Sequence, residues 1–372
     1  MKVTIERSTL LKALGHVQSV VERRNTIPIL SNVLMRAEGG TLALTATDLD
    51  IEIIEKVPAD IETPGAVTAS AVTLFDIVKK LPEGGQVQFE AKPEGGRLSI
   101  LSGKSSFELA VLPDQDFPSL SQDDGGDEFK MPATDLRRLI DKTRFAMSQE
   151  ETRYYLNGIY FHAFTEGEAK SLRAVATDGH RLARLDAALP QKAETIPGVI
   201  IPRKTVLELR RLLDDAGEEV SIIVSTSRIR FLFDDIVLTS KLIDGTFPDY
   251  ARVIPTGNDK VMKVDNADFR KAVDRVSTVS ADKTRSVKLS LGDDRLELLV
   301  NNPETGSATE ELSVDFGADH LDIGFNSKYL LDIASQVDGE TSLFHFADSA
   351  SPTIITDVDD PQALYVLMPL RV

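Results

Sequence analysis

Lys2-Val3-Thr4-Ile5 runs into Leu10-Leu11-Lys12-Ala13-Leu14, a strand followed by an amphipathic helix. The phrase returns twice, as Phe129-Lys130-Met131 into Leu136-Arg137-Arg138-Leu139-Ile140 and as Val261-Met262-Lys263-Val264 into Phe269-Arg270-Lys271-Ala272-Val273. The period is roughly 130 residues. Solenoid repeats recur at about 20 to 50 residues, so this spacing marks three copies of a whole domain. A second helical phrase recurs as well: Leu74-Phe75-Asp76-Ile77-Val78, Val206-Leu207-Glu208-Leu209 and Tyr329-Leu330-Leu331-Asp332-Ile333. Ala46-Thr47-Asp48 reappears as Ala176-Thr177-Asp178, and Asp116-Phe117-Pro118 as Thr246-Phe247-Pro248. Three similar domains suggest an arc, and an arc invites closure by a second chain.

Each repeat reads as strand, helix, several strands, helix, several strands. Leu10, Leu14, Val17 and Val21 share one helical face, as do Leu136, Leu139, Ile140, Thr143 and Met147, and Phe269, Ala272, Val273 and Val276. The second helices carry Leu74, Ile77, Val78 and Leu81, then Val206, Leu209 and Leu213, then Leu330, Ile333 and Val337. They stop at Pro82-Glu83-Gly84-Gly85, Asp214-Asp215-Ala216-Gly217 and Asp338-Gly339. Alternating runs such as Ile229, Phe231, Phe233 and Leu296, Leu298, Val300 are strands, separated by turns such as Gly95-Gly96. The expected class is α+β, with helices on one face of antiparallel sheets. Polar linkers at 121–127 and 252–259 set the expected domains at 1–121, 128–252 and 258–372.

The 372 residues fit two to four domains, and 42% hydrophobic with 27% charged content is ordinary for a soluble protein. Absence of cysteine excludes disulfides and thiolate metal sites. The N-terminus alternates charged and apolar residues, unlike a signal peptide, and no stretch reaches the roughly 20 apolar residues of a membrane span. A cytoplasmic protein is expected.

A net charge of −17 taken alone disfavours nucleic acid. The six predicted helices, however, carry +7 and the remainder −24. Lys and Arg are good helix formers and can merely decorate solvated faces. Equivalent helices in equivalent domains should nonetheless face the same way, which points to one shared basic surface suited to duplex DNA through its phosphates. Charge and repeat position alone make Arg137, Lys142, Arg203 and Lys204 candidate DNA contacts. No zinc-finger, helix-turn-helix or aromatic RNA-binding pattern suggests base reading.

The candidate catalytic motif is Ala176-Thr177-Asp178-Gly179-His180-Arg181-Leu182-Ala183, where Asp178 and His180 could form the acid–base pair of a hydrolase. No nucleophile motif accompanies it, the five histidines are scattered, and Asp178 has a counterpart in Asp48 without a His. A turn or cap role for Asp178 is the simpler reading. The acidic runs Asp123-Asp124-Gly125-Gly126-Asp127-Glu128 and Asp357-Val358-Asp359-Asp360 lack EF-hand spacing and read as solvated loops. Neither a P-loop nor a Rossmann fingerprint is present. No catalytic residue, metal or cofactor is expected. Arg153-Tyr154-Tyr155-Leu156-Asn157-Gly158 is either a strand start with packed tyrosines, a loop touching nucleic acid, or the edge of an apolar pocket. The end, Tyr365-Val366-Leu367-Met368-Pro369-Leu370-Arg371-Val372, is apolar where chain ends usually are polar. It reads as a docked strand or part of a partner site, for which an adaptable Met is suited.

Taken together, these residues resemble the bacterial sliding clamp family, the beta subunit of DNA polymerase III. The likeness runs the whole length through Met1-Lys2-Val3-Thr4-Ile5-Glu6-Arg7, Pro28-Ile29-Leu30, Arg153 to Gly158, Ala176 to Ala183, Phe247-Pro248-Asp249-Tyr250 and Met368-Pro369-Leu370-Arg371. The resemblance implies a head-to-tail homodimer closed into a ring of six similar domains, helices lining the hole and sheets outside. Such a ring slides on DNA at the replication fork, tethers the polymerase and confers processivity without being an enzyme. It implies a pocket for short motifs rich in Gln, Leu and Phe, carried by polymerase, clamp loader and repair proteins. By matching motif that pocket uses Leu156, Thr177, Gly179, His180, Arg181, Leu182, Pro248, Arg252, Val253, Val366, Met368, Pro369, Leu370 and Arg371. Aliphatic walls would take apolar anchors and rim polar groups would set orientation. The resemblance also places Arg24, Tyr154 and Tyr155 on DNA, and a dimer interface joining Phe107 and Leu109 to Thr278 and Val279. Thr278 stands where the family pattern has a larger aliphatic residue, which bears on dimer strength. The alternatives are a three-domain interaction scaffold with no DNA role and the Asp178/His180 hydrolase.

Overall fold

The computed structural model describes residues 1–22, 26–91, 96–120, 125–280 and 285–371. Arg24, Gly95, Val372 and the Asp123-Asp124 start of the first acidic run lie outside them, as does most of the first linker. The six expected helices form: α1 (Arg7–Gln18), α2 (Ala71–Lys80), α3 (Ala133–Thr143), α4 (Arg203–Leu212), α5 (Asn266–Ser277) and α6 (Ser327–Ala334). Among the described residues no helix is long and apolar enough to cross a membrane.

Polar side chains start these helices by accepting otherwise unpaired backbone N–H groups. Glu6 accepts from Thr9 N at 2.8 Å, Asp265 from Asp268 N at 2.8 Å, and Asn326 from Lys328 N at 3.0 Å. Hydrogen bonds from Ser8 and then Thr9 lower the Glu6 carboxyl to about 2. The apolar faces read from the 3.6-residue period are buried: Leu10, Leu14 and Val17 at 0%, Leu136 and Leu139 at 1%, and Phe269, Ala272 and Val273 at 0% exposure.

The chain sorts into two compact units. One contains Met1–Thr134, Pro190–Pro197 and Lys204–Leu242; the other contains Asp135–Leu189, Gly198–Arg203 and Ile243–Val372. The middle repeat is thus divided, and strand pairing gives the reason. Its strand Ile236–Lys241 pairs antiparallel with Ile51–Pro58 of the first repeat, Ile236 opposite Glu55 and Ser240 opposite Ile51. Its strand Arg181–Ala188 pairs antiparallel with Ala363–Leu367 of the third, Arg181 opposite Leu367 and Leu185 opposite Ala363. Sheets therefore run through the repeat boundaries. The first unit holds a thirteen-stranded antiparallel sheet, and the second holds sheets of eight and four strands.

Candidate partner pocket and contact surfaces

The site in the second unit begins with a turn. After strand Ala169–Thr177, Asp178 Oδ1 accepts from His180 N at 2.9 Å and from Arg181 N at 3.0 Å, while Thr177 Oγ1 donates to Arg181 O at 2.7 Å. Gly179 takes φ +88°, where only glycine is at ease. The first repeat builds the same turn: Asp48 Oδ1 accepts from Asp50 N at 2.9 Å and Ile51 N at 2.7 Å, and Thr47 donates to Ile51 O at 2.8 Å. Leu49 holds the left-handed position there, at φ +79°. Asp178 is therefore a turn residue. The hydrolase reading has no support in this geometry, since the Asp178 oxygens are engaged by backbone N–H groups and Arg181, and the His180 ring stacks on Tyr329 with centroids 6.3 Å apart.

Arg181, expected at the pocket by motif, follows the turn. It is buried, donating from Nε to Asp178 Oδ2 at 3.1 Å, from Nη2 to Phe145 O at 2.7 Å, and from Nη1 to Asp332 of α6. Its guanidinium also lies 4.3 Å from the Tyr329 ring centroid. Arg181 thereby braces Tyr329, a residue of the cavity described next. Burial raises the Tyr329 hydroxyl above its usual pKa, reinforced by Asp178.

The C-terminal segment docks across this turn. Met368 N donates to His180 O at 2.9 Å and Leu370 N to Gly324 O at 2.8 Å. A cavity of about 510 Å³ results, lined by His180, Ser286, Asn326, Tyr329, Met368 and residues 369–371. Beside it Leu156, Leu182 and Val366 pack with Val175, Ile200 and Phe247 in one apolar cluster, with Tyr155, Tyr160 and Tyr250 against it. Pro248 and Val253 are exposed, and Arg252 reaches solvent while pairing with Asp249 at 2.8 Å. Thr177 is buried under its own turn. Sequence reasoning brought most of these residues together but missed Ser286, Asn326 and Tyr329. Tyr329 did leave a signal: it stands where the corresponding helices carry Thr73 and Thr205.

The comparisons with known proteins agree along the whole chain. Residues 1–121, 130–249 and 251–371 match the N-terminal, central and C-terminal domains of the DNA polymerase III beta subunit. The beta sliding clamp of Caulobacter vibrioides is 56% identical and that of Escherichia coli K12 40% identical, each over 372 residues and all of both chains. The chain belongs to the bacterial DNA polymerase III beta sliding clamp family. Among solved structures, Caulobacter crescentus pol III beta superposes with a TM-score of 0.96 at 56% identity, covering all of both chains. A sliding clamp from Bartonella birtlesii bound to griselimycin superposes with a TM-score of 0.97 at 49% identity, again over all of both chains. The fold is accordingly α+β with three clamp domains per chain.

The expected DNA contacts divide. Tyr154 is 53% exposed and meets Tyr155 edge-on, centroids 5.7 Å apart. Arg137 and Arg203 are half-buried. Lys142 is buried, and its ammonium bonds Gln336 O and Asp338 Oδ2, the latter at 2.7 Å. A cation so engaged is not offered to a phosphate. Lys204 is also engaged, reaching Asp48 and, at 3.2 Å, Glu22. Counting charge along a helix cannot tell which cations are consumed by pairing. The helical cations that are exposed, with no ion pair among the described residues, are Lys79, Lys80, Arg270 and Lys328.

Of the expected interface residues, Phe107 and Leu109 sit on a partly open sheet edge, and Thr278 and Val279 lie at the end of α5. Phe107 is 36% exposed on strand Ser105–Leu112. That strand pairs with Arg97–Ser102 along residues 105–110, but with Gly65–Ser70 only through Val111 and Leu112. In the second unit, strand Gly306–Ser313 is the edge of the four-stranded sheet. Thr278 caps the C-terminus of α5 and is exposed, and Val279 O accepts from Asn302 Nδ2 at 3.2 Å.

Proposed function

We propose that two copies of this chain join head to tail into a ring that encloses duplex DNA, slides on it, and tethers the replicative polymerase in the bacterial cytoplasm. The observation that carries this reading is the pair of open sheet edges, 105–110 in one unit and 306–313 in the other. An unpaired edge is a template for another chain, and two different edges on one protomer suit a heterologous contact that closes when the rotation permits. Phe107 and Leu109 supply apolar contact at one edge. At the other, Arg275 of α5 donates to Glu310 on the edge strand at 3.0 Å, setting the helix end with Thr278 and Val279 beside it.

DNA would be held by topology together with exposed helical cations, without base reading. Polymerase, clamp loader and repair proteins would dock short apolar motifs into the cavity at Met368 and the cluster at Leu182. The protein acts by tethering and not by catalysis. The test is retention on plasmid DNA after loading by a competent clamp loader in moderate salt. Retention on circles and loss on linearised DNA is expected. Equal retention on both would mean ordinary electrostatic binding, and no retention on either would leave the scaffold reading.

A further inference from the structure

The apolar floor of the pocket continues into a charged row on the same sheet face. Side chains two apart along a strand share a face, about 7 Å apart. Pairing sets Thr177, Leu182 and Val366 in one row and Val175, Arg184 and Leu364 in the next, with Arg173 and Asp186 in the third. Val175 and Leu364 belong to the apolar cluster, so Arg184 borders that cluster, outside the residues that line the cavity.

Charge in these rows does not balance. Asp186 is taken by Arg173, whose Nε and Nη2 donate to its two oxygens at 2.6 and 2.9 Å, and Ser171 Oγ adds a third bond at 3.0 Å. Arg173 completes its set with Tyr250 Oη at 3.1 Å and the face of Phe164. Arg184 Nε is left 3.6 Å from Asp186 Oδ2, outside hydrogen-bond reach, and is buried with no hydrogen-bond partner among the described residues. Two guanidinium groups thus share one carboxylate. Burial, and next the charge of Arg173, push the Arg184 pKa below its usual value. An arriving carboxylate at the solvent-facing part of this guanidinium, whose side chain is 21% exposed, would offset the neighbouring charge of Arg173.

We infer that Arg184 receives a carboxylate from the partner peptide, an Asp or Glu side chain flanking the apolar anchors, so that the pocket selects among motifs by acidic flank. This rests on the peptide-pocket reading above. The row spacing matches roughly two residues of an extended peptide running from Leu182 and Val366 towards Arg184.

The test uses the full-length protein and three fluorescein-labelled synthetic peptides with identical Gln, Leu and Phe anchors. One has Gln on both flanks, one Glu on the N-terminal flank, and one Glu on the C-terminal flank. By anisotropy, one Glu peptide should bind about threefold to tenfold tighter than the neutral one, with the gap narrowing as salt rises. Arg184→Gln should erase the gap and leave neutral-peptide affinity unchanged, while Arg184→Lys should keep part of it. Equal binding of all three peptides by the wild type, or loss of neutral-peptide affinity in Arg184→Gln, would overturn the assignment while the pocket stands. Failure of every peptide to bind the wild type would overturn the pocket and Arg184 with it.

Discussion

The guanidinium of Arg181 lies 4.3 Å from the ring centroid of Tyr329, and the same group reaches Asp178, Asp332 and the carbonyl of Phe145. One buried cation therefore ties the turn at 177–181 to α6 and fixes a cavity wall.

Removing that cation should act on stability and binding together. Arg181→Ala leaves Asp178 and Asp332 without their partner, and breaking a buried pair costs about 3 to 5 kcal/mol. The upper part of that range does not apply, because Asp332 is about one-third exposed. A lowered thermal midpoint and weaker peptide binding are both expected, read by calorimetry and anisotropy. Tyr329→Ala should weaken binding with a smaller thermal effect. Arg181→Ala binding peptide as wild type would show that Tyr329 does not depend on the brace.

Gly179 tests the turn from the backbone side. At φ +88° an L side chain is strained, and a Cβ there would come 2.6 Å from Arg153 Nη1. Gly179→Ala should cost about 1 to 2 kcal/mol, measured by urea unfolding. The first repeat carries Leu49 at the equivalent position, so left-handed strain alone is survivable there. A change within about 0.5 kcal/mol would mean that Arg153 yields freely and that the turn relaxes.

His16 in the first unit sits between two carboxylates, with Nδ1 2.8 Å from Glu55 and Nε2 2.9 Å from Asp215. Burial alone would lower its pKa, but the bonds to Glu55 and then Asp215 outweigh it and hold the pKa above the usual value, against the opposing charge of Arg211. Lys12 shares Asp215 at 2.9 Å. A raised folded-state pKa means that the stabilisation is complete below the unfolded value of about 6.5 and fades as pH rises through the folded value. The thermal midpoint of wild type relative to His16→Gln should therefore be highest near pH 5.5 and should narrow towards pH 9. A difference constant over that range would mean that folding leaves the imidazole pKa unshifted, and one that grows with pH would mean that the buried ring stays neutral.

Much of this fold is legible in the sequence because period and punctuation are local. The helix faces at Leu10, Leu136 and Phe269 follow from 3.6-residue spacing, and the turn at Asp178 follows from its twin at Asp48. The division of the middle repeat is not legible. It depends on Ser240 pairing with Ile51 and Leu182 with Val366, contacts between strands far apart in the chain. The site behaves likewise. Met368 and His180 are reachable by motif, whereas the burial of Lys142 against Asp338 and the shortage of counter-charge at Arg184 exist only after the strands and helices pack.

The C-terminal segment supplies the sharpest test of the pocket. Its backbone is held by bonds from Met368 N to His180 O and from Leu370 N to Gly324 O, which side-chain truncation leaves in place. Met368 is 40% exposed, so part of its apolar surface is open to a ligand. Changing Met368, Pro369 and Leu370 together to Ala should remove peptide binding, a loss of at least about 2 kcal/mol if these residues include an anchor. The same variant should keep its thermal midpoint near wild type and its dimer by sedimentation, because the open edges at 105–110 and 306–313 are untouched. Retained peptide affinity would refute the pocket assignment. Loss of the dimer with retained affinity would place the segment in the protomer contact instead.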